Sequence, residues 1–184
     1  EVDYDSPLRL GGSVSARFMD AGHILGSAMI EVTVREGDRT RTLVFSGDLG
    51  QWDMPFVNDP TVFESADYVV MESTYGDREH EDPGQVEELL GRVIRETAAA
   101  GGNIVIPTFA IERAQNLMYH LSRLAHQKAI PALPVYLDSP MAREVTLAFE
   151  RNPGFYDEET RRLIAAGRNP FEFPGLSIRG RPFR

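Results

Sequence analysis

There is no cysteine anywhere in the 184 residues. That excludes a disulfide scaffold, a thiolate zinc site and a cysteine nucleophile together. No apolar run approaches the ~18 residues that a membrane-spanning helix needs. Several short catalytic motifs are missing too: there is no Walker loop, no GxGxxG, no HExxH helix and no nucleophile elbow. Positive charge is scarce, and the formal net charge of -9 argues against non-specific nucleic-acid binding by the chain as a whole. That sum hides a split, because residues 1–160 carry a net -14 and residues 161–184 a net +5. With one lysine against 18 arginines, arginine is the default cation here, which weakens any special reading of the arginine-rich end. The chain opens at Glu1 without an initiator methionine, and we expect it to be a piece of something longer.

What is present sorts by periodicity. From Val14 to Ser46 apolar and polar residues alternate as in strands. Ala28–Arg35 and Thr40–Ser46 flank Gly37-Asp38, a two-residue hairpin turn with glycine first. Pairing Glu36 with Arg39 sets Val32 opposite Leu43 and Ile30 opposite Phe45, so that the apolar residues share one side of the ribbon. From Asp67 onward the pattern reads strand and helix in alternation. The strands are Tyr68–Met71, Asn103–Ile106 and Pro134–Leu137, short continuous apolar runs of the kind found in buried parallel sheets. Val86, Leu89, Leu90, Val93 and Ile94 form one helical stripe, and Ala114, Leu117, Met118, Leu121 and Leu124 another. Asp82 before Pro83 and Ser139 before Pro140 read as helix caps. The expected class is α/β: a β-hairpin portion followed by a parallel βαβαβ unit.

In an open parallel sheet, ligands gather beyond the carboxyl ends of the strands. Glu72–Asp77, Pro107–Ala110 and Asp138–Pro140 all fall at such ends. The last two lead into helix amino termini suited to an anion such as phosphate. The hairpin register carries a separate argument. Asp48 falls opposite Ser27 at the open end of the ribbon, and His23 sits four residues before Ser27. An imidazole and a carboxylate thus emerge together, and both are ligands for first-row metals. Taken alone, each feature also fits an ordinary loop or strand end. His120 falls on the polar side of its helix and reads as solvated. His126 ends that helix, where a cation suits the dipole, and His80 lies in a polar loop with no clear role.

Taken in order, Ala21-Gly22-His23-Ile24-Leu25-Gly26-Ser27-Ala28, Phe45-Ser46-Gly47-Asp48 and Met71-Glu72-Ser73-Thr74-Tyr75-Gly76 resemble successive signatures of the β-CASP metallo-β-lactamase nucleases. Ile106–Ala110 with Arg113 and Gln115, then Leu137–Ala142, then Asn169-Pro170-Phe171 extend the resemblance over nearly the whole chain. It implies two portions: residues 1–62 as the second part of a metallo-β-lactamase-like domain and 63–184 as the beginning of a β-CASP-like domain, with the change between them inside 58–65. It also implies roles. His23 would ligate one zinc and Asp48 would bridge two. Glu72 would orient a later histidine that protonates the leaving group. Arg113 and Ser139 are candidates for phosphate contacts.

The resemblance implies a fragment of a zinc-dependent RNA-processing hydrolase, an exo- or endoribonuclease acting on single-stranded RNA in the cytoplasm, with two zincs per intact site. A homodimer is left open, and no membrane partner is expected. The family's His-x-His-x-Asp-His segment and its late histidines are absent from these 184 residues, so the chain alone is expected to be inactive. Two other classes stay open. One is a pseudo-nuclease scaffold subunit that has lost its metals. The other is an α/β module binding a small phosphorylated ligand.

Overall fold

In a computed structural model of the chain, residues 2–78 and 83–178 are described. They fall into two compact units, Glu1–Glu79 and His80–Arg184. The alternating stretch of the first unit becomes strands, as its period dictates. β1 (Leu8–Arg9), β2 (Val14–Asp20), β3 (Ala28–Glu36) and β4 (Arg39–Phe45) form an antiparallel meander, and β5 (Tyr68–Val70) adds in parallel beside β4. The β3–β4 ladder has the register set by the turn: Glu36 opposes Arg39, Val32 opposes Leu43 and Ile30 opposes Phe45. Gly37 takes φ +58° at the turn, a conformation without penalty only for glycine.

Burial favours the opposite face of the hairpin from the one marked by those apolar pairs. Met29 and Val44 are buried, whereas Ile30, Val32 and Leu43 are half-buried and Phe45 is exposed. The connection from β4 to β5 folds back through Phe56 and Val57, both buried. Asp67 then fixes where β5 begins. Its carboxylate accepts from Thr42 N and from the Arg41 guanidinium, each at 2.8 Å, while its own N–H donates to Thr42 O. Those bonds, the Thr42 amide first, hold the Asp67 carboxyl below its ordinary pKa.

The compact units divide after Glu79, and the Tyr68–Val70 strand is hydrogen-bonded into the first sheet. Glu72 therefore belongs to the same unit as His23 and Asp48.

The second unit holds α1 (Val86–Ala99), α2 (Arg113–His126), β6 (Val135–Leu137), α3 (Pro140–Arg151), α4 (Glu158–Ala165) and β7 (Leu176–Ile178). Among the described residues the expected parallel βαβαβ ladder is not complete. β6 pairs in parallel with β7, and Asn103–Ile106 enters no ladder among the described residues. An apolar run becomes a strand only when a neighbour takes up its backbone groups, and here β7 is the neighbour that β6 has. Helix α2 buries the stripe read from the sequence, through Ala114, Met118, Leu121 and Leu124. Helix α1 buries only Gly91 and Ile94, with Val86, Leu89 and Val93 exposed. The cap expected at Asp82 lies outside the described residues. The cap at Ser139 forms: its Oγ accepts from Ala142 N at 3.1 Å, with Pro140 in the first turn.

His120 differs from expectation. Its Nδ1 lies 3.1 Å from Glu87 Oε1, and Arg123 Nε binds the same oxygen at 2.8 Å. Arg123 also reaches Glu159, which accepts from Tyr119 Oη at 3.0 Å. The histidine is half-buried because partners on α1 and α4 cover the polar side of α2, a tertiary effect with no trace in helical periodicity. Burial pushes the Tyr119 hydroxyl up to about 12.

Candidate metal centre

Three stretches of the first unit meet at the open end of the hairpin. The His23 loop is held from within and from outside. Ser27 Oγ accepts from His23 N at 3.1 Å and from Ile24 N at 3.2 Å, and Ser27 N donates to Ile24 O. Asp20 Oδ1 accepts from Gly22 N at 2.9 Å, and its Oδ2 from Asn58 Nδ2 at 3.3 Å. Tyr4 Oη donates to Ser27 O at 2.7 Å. Burial, helped by the nearby Asp20 charge, raises that hydroxyl to about 12.

The glycines explain how closely the loops approach. Gly50 N donates to Ala21 O at 2.8 Å, and a Cβ on Gly50 would lie 1.7 Å from Gly22 O. Gly22, at φ +62°, is pressed in turn against Asn58 O and Pro60, each 2.8 Å from where its Cβ would stand. No residue but glycine fits at either position.

This packing brings two of the sequence candidates together. His23 Nε2 lies 4.0 Å from Asp48 Oδ2, and both side chains are open to solvent. Glu72 binds the turn that follows Asp48. Its Oε1 accepts from Leu49 N at 2.8 Å and its Oε2 from Thr74 N at 3.4 Å. These bonds, the Thr74 hydroxyl foremost and then the Leu49 amide, lower the Glu72 pKa, with a smaller contribution from His23. Arg113 and Ser139 lie in the other unit. Arg113 opens α2 and is exposed; Ser139 caps α3. The two helix starts are tied together by the buried Gln115, whose Nε2 donates to Thr146 Oγ1 at 3.0 Å and reaches Ala142 O at 3.4 Å.

The donor chemistry of His23 and Asp48 suits a first-row cation. Two donors on one tetrahedral zinc, at bond lengths of about 2.0–2.2 Å, lie about 3.4 Å apart, so the exposed pair at 4.0 Å has to close by about half an ångström to share an ion. Two donors do not complete a site, and no cluster of three or more His, Cys, Asp or Glu residues is placed to hold a metal among the described residues.

Comparison with known proteins bears on what such a pair belongs to. Residues 114–181 match the Beta-Casp domain model. The chain therefore resembles the β-CASP family, through that domain match and through the relatives it aligns with. It is 40% identical over 177 residues to a ribonuclease of Thermus thermophilus, an alignment covering 96% of this chain and 39% of that protein. It is 34% identical to the transcription termination factor FttA of Methanosarcina mazei, over 92% of this chain and 27% of the relative. It is 30% identical to the endoribonuclease YSH1 of Eremothecium gossypii, over 96% and 23%. The chain thus spans about two fifths of the first relative and about a quarter of the other two. Metal use is what this family implies.

Sequence reasoning missed three kinds of residue in this chain. Asp20 and Asn58 brace the His23 loop from 38 positions apart, and neither stands out by type or spacing. Ser46 is buried and accepts from Glu72 N at 3.0 Å; it lies inside a quoted signature, but its role there is carried by a main-chain partner. Glu112 is buried with φ +60° and ψ -54°, and Arg113 N donates across it to Ile111 O at 2.7 Å. That is a γ-turn of the strained hand. A glycine at this place would have signalled it, and a glutamate does not.

Proposed function

We propose that the full-length protein is a zinc-dependent RNA-processing hydrolase that cleaves phosphodiester bonds in single-stranded RNA. The observation carrying this reading is the meeting of His23 Nε2 and Asp48 Oδ2, 4.0 Å apart, at the end of one hairpin. Kinship with proteins named as ribonucleases supports it. His23 and Asp48 would hold zinc, with further ligands supplied from outside these residues. Bound there, a zinc pair supplies electrophilic stabilisation of phosphoryl oxygens and a water whose pKa falls towards about 7.

The chain's own residues do the rest. Asp48, a carboxylate with two oxygens, can serve two cations. Glu72 stays ionised and orients its neighbours through hydrogen bonds. Arg113 offers a forked guanidinium suited to phosphate. Ser139 Oγ accepts from the α3 amide and keeps its hydrogen to donate to a phosphoryl oxygen. The Gln115 bridge sets those two helix starts side by side for one substrate backbone. We also infer that Asn103–Ile106 is a strand beside β6 in the intact protein. Val105 is 88% exposed as it stands, and Ile104 and Ile106 line an apolar cavity of about 690 Å³ with Leu133–Leu137.

The test is metal analysis with an RNA cleavage assay on full-length His23→Ala and Asp48→Ala. Both variants should lose zinc and activity together while keeping the wild-type circular dichroism. Two zincs retained at full occupancy in Asp48→Ala would remove Asp48 from the bridging role.

A further inference from the structure

The carboxylate of Glu72 has partners that its sequence context does not suggest. Its Oε1 accepts from the main-chain amide of Leu49 at 2.8 Å, the residue that follows Asp48. The main chain around it grips the same turn. Glu72 N donates to Ser46 Oγ at 3.0 Å, Ser46 N donates to Val70 O at 2.9 Å, and Ser46 Oγ donates to Gly47 O at 2.6 Å. Residues 46 to 49 are thus tied to residues 70 to 72 on both sides of Asp48. The Asp48 side chain itself is 79% exposed. Little packs against it, so its direction follows from its backbone. Gly47 at φ +56° turns the chain there, and the Leu49 amide is the next fixed point.

The geometry points to Glu72 as a positioning residue for Asp48: by holding Leu49 N–H it sets the direction in which the Asp48 carboxylate leaves the chain toward His23. This rests on the reading of Asp48 as a metal ligand. Partners that orient a ligand typically change metal affinity 10–100-fold when removed. What the role requires is an acceptor oxygen, not a negative charge. Glutamine keeps one acceptor for Leu49 N while losing the charge and the second acceptor, so Glu72→Gln and Glu72→Ala separate positioning from electrostatics.

The experiment measures zinc affinity of the full-length protein by competition with a chromophoric chelator, for wild type, Asp48→Ala, Glu72→Ala and Glu72→Gln. Asp48→Ala should abolish tight binding, Glu72→Ala should weaken it about 10–100-fold, and Glu72→Gln should stay within a few-fold of wild type. In the 184-residue chain, without metal, the Leu49 amide proton should exchange faster in Glu72→Ala and stay protected in Glu72→Gln. Wild-type affinity in Glu72→Ala, with binding lost in Asp48→Ala, overturns the positioning role and leaves the metal reading standing. Equal weakening by both Glu72 variants overturns it as well, since charge would then be the operative property. Undiminished binding in Asp48→Ala overturns both readings.

Discussion

Gly50 is where the loops of the first unit come closest, and Gly50→Ala should be among the most damaging single methyl additions to it. The added Cβ would stand 1.7 Å from Gly22 O, 2.0 Å from Gly22 C and 2.6 Å from His23 N. All three are main-chain atoms, so no side-chain rotation relieves the overlap. An ordinary contact of about 3.4 Å requires the two loops to part by nearly 2 Å. The Gly50 N to Ala21 O bond, now 2.8 Å, would then break. Overpacking typically costs about 1–3 kcal/mol and a lost hydrogen bond about 1 kcal/mol. The sum is about 3 kcal/mol. For a unit of this size, each kcal/mol lowers the melting temperature by about 4–8 °C. Trp52, the single tryptophan, lies two residues away and reports on this unit by fluorescence. The described α-helices all belong to the other unit, so far-ultraviolet circular dichroism gives a separate signal. Trp52 fluorescence should show early unfolding in Gly50→Ala while the helical signal moves much less. A Trp52 transition within about 1 kcal/mol of wild type would refute the reasoning, because the loops would then have had room that the structure denies them.

Three further outcomes are expected. The Glu72 carboxyl has its pKa lowered by the Thr74 hydroxyl and the Leu49 amide, so its stabilisation is full above the unfolded carboxyl value of about 4.3 and is lost as pH falls through its lower folded value. Urea titrations of wild type and Glu72→Gln should therefore differ at pH 7 and converge on acidification; a gap that is constant down to pH 2 would contradict this. Ser139→Ala removes the side-chain acceptor for Ala142 N and should cost about 1 kcal/mol, read as a lower urea midpoint by circular dichroism; an unmoved midpoint would show that the cap contributes nothing. The 184-residue chain itself, given excess zinc and labelled single-stranded RNA, should not cleave, because His23 and Asp48 are two donors where a catalytic zinc takes three protein ligands. Zinc-dependent cleavage that disappears with His23→Ala would show that count to be wrong.

The nearness of His23 to Asp48 is legible in the sequence because a two-residue turn and an alternating pattern together determine a register, and a register extends to residues beyond the ladder. The Ser139 cap is legible for a similar reason, since side-chain type and position define it. The clamp on Leu49 is not, because its donor is a main-chain amide and any residue at that position supplies one. Strand partnership is equally hidden. Tyr68–Val70, Asn103–Ile106 and Val135–Leu137 are alike as apolar runs, yet one joins β4, one enters no ladder among the described residues and one joins β7. Hydrophobicity identifies a strand and is silent about its neighbour. His120 shows the same limit on a helix: the polar side of α2 was readable, but Glu87 and Glu159 covering it was not.

The placement of β5 beside β4 also affects the order in which the chain can fold during synthesis. His23, Asp48 and Glu72 lie within one stretch of 50 residues, and the unit that holds them ends at Glu79. Every hydrogen bond described between the three loops closes inside that stretch or just before it. Once this segment has left the ribosome, every hydrogen-bonding group described here around the pair has emerged, with α1 to α4 still inside the tunnel or untranslated. Domains fold as units as they emerge, so the donors can be set against each other before the helical unit exists. Nascent chains arrested shortly after Glu79 leaves the exit tunnel would already carry the finished loops.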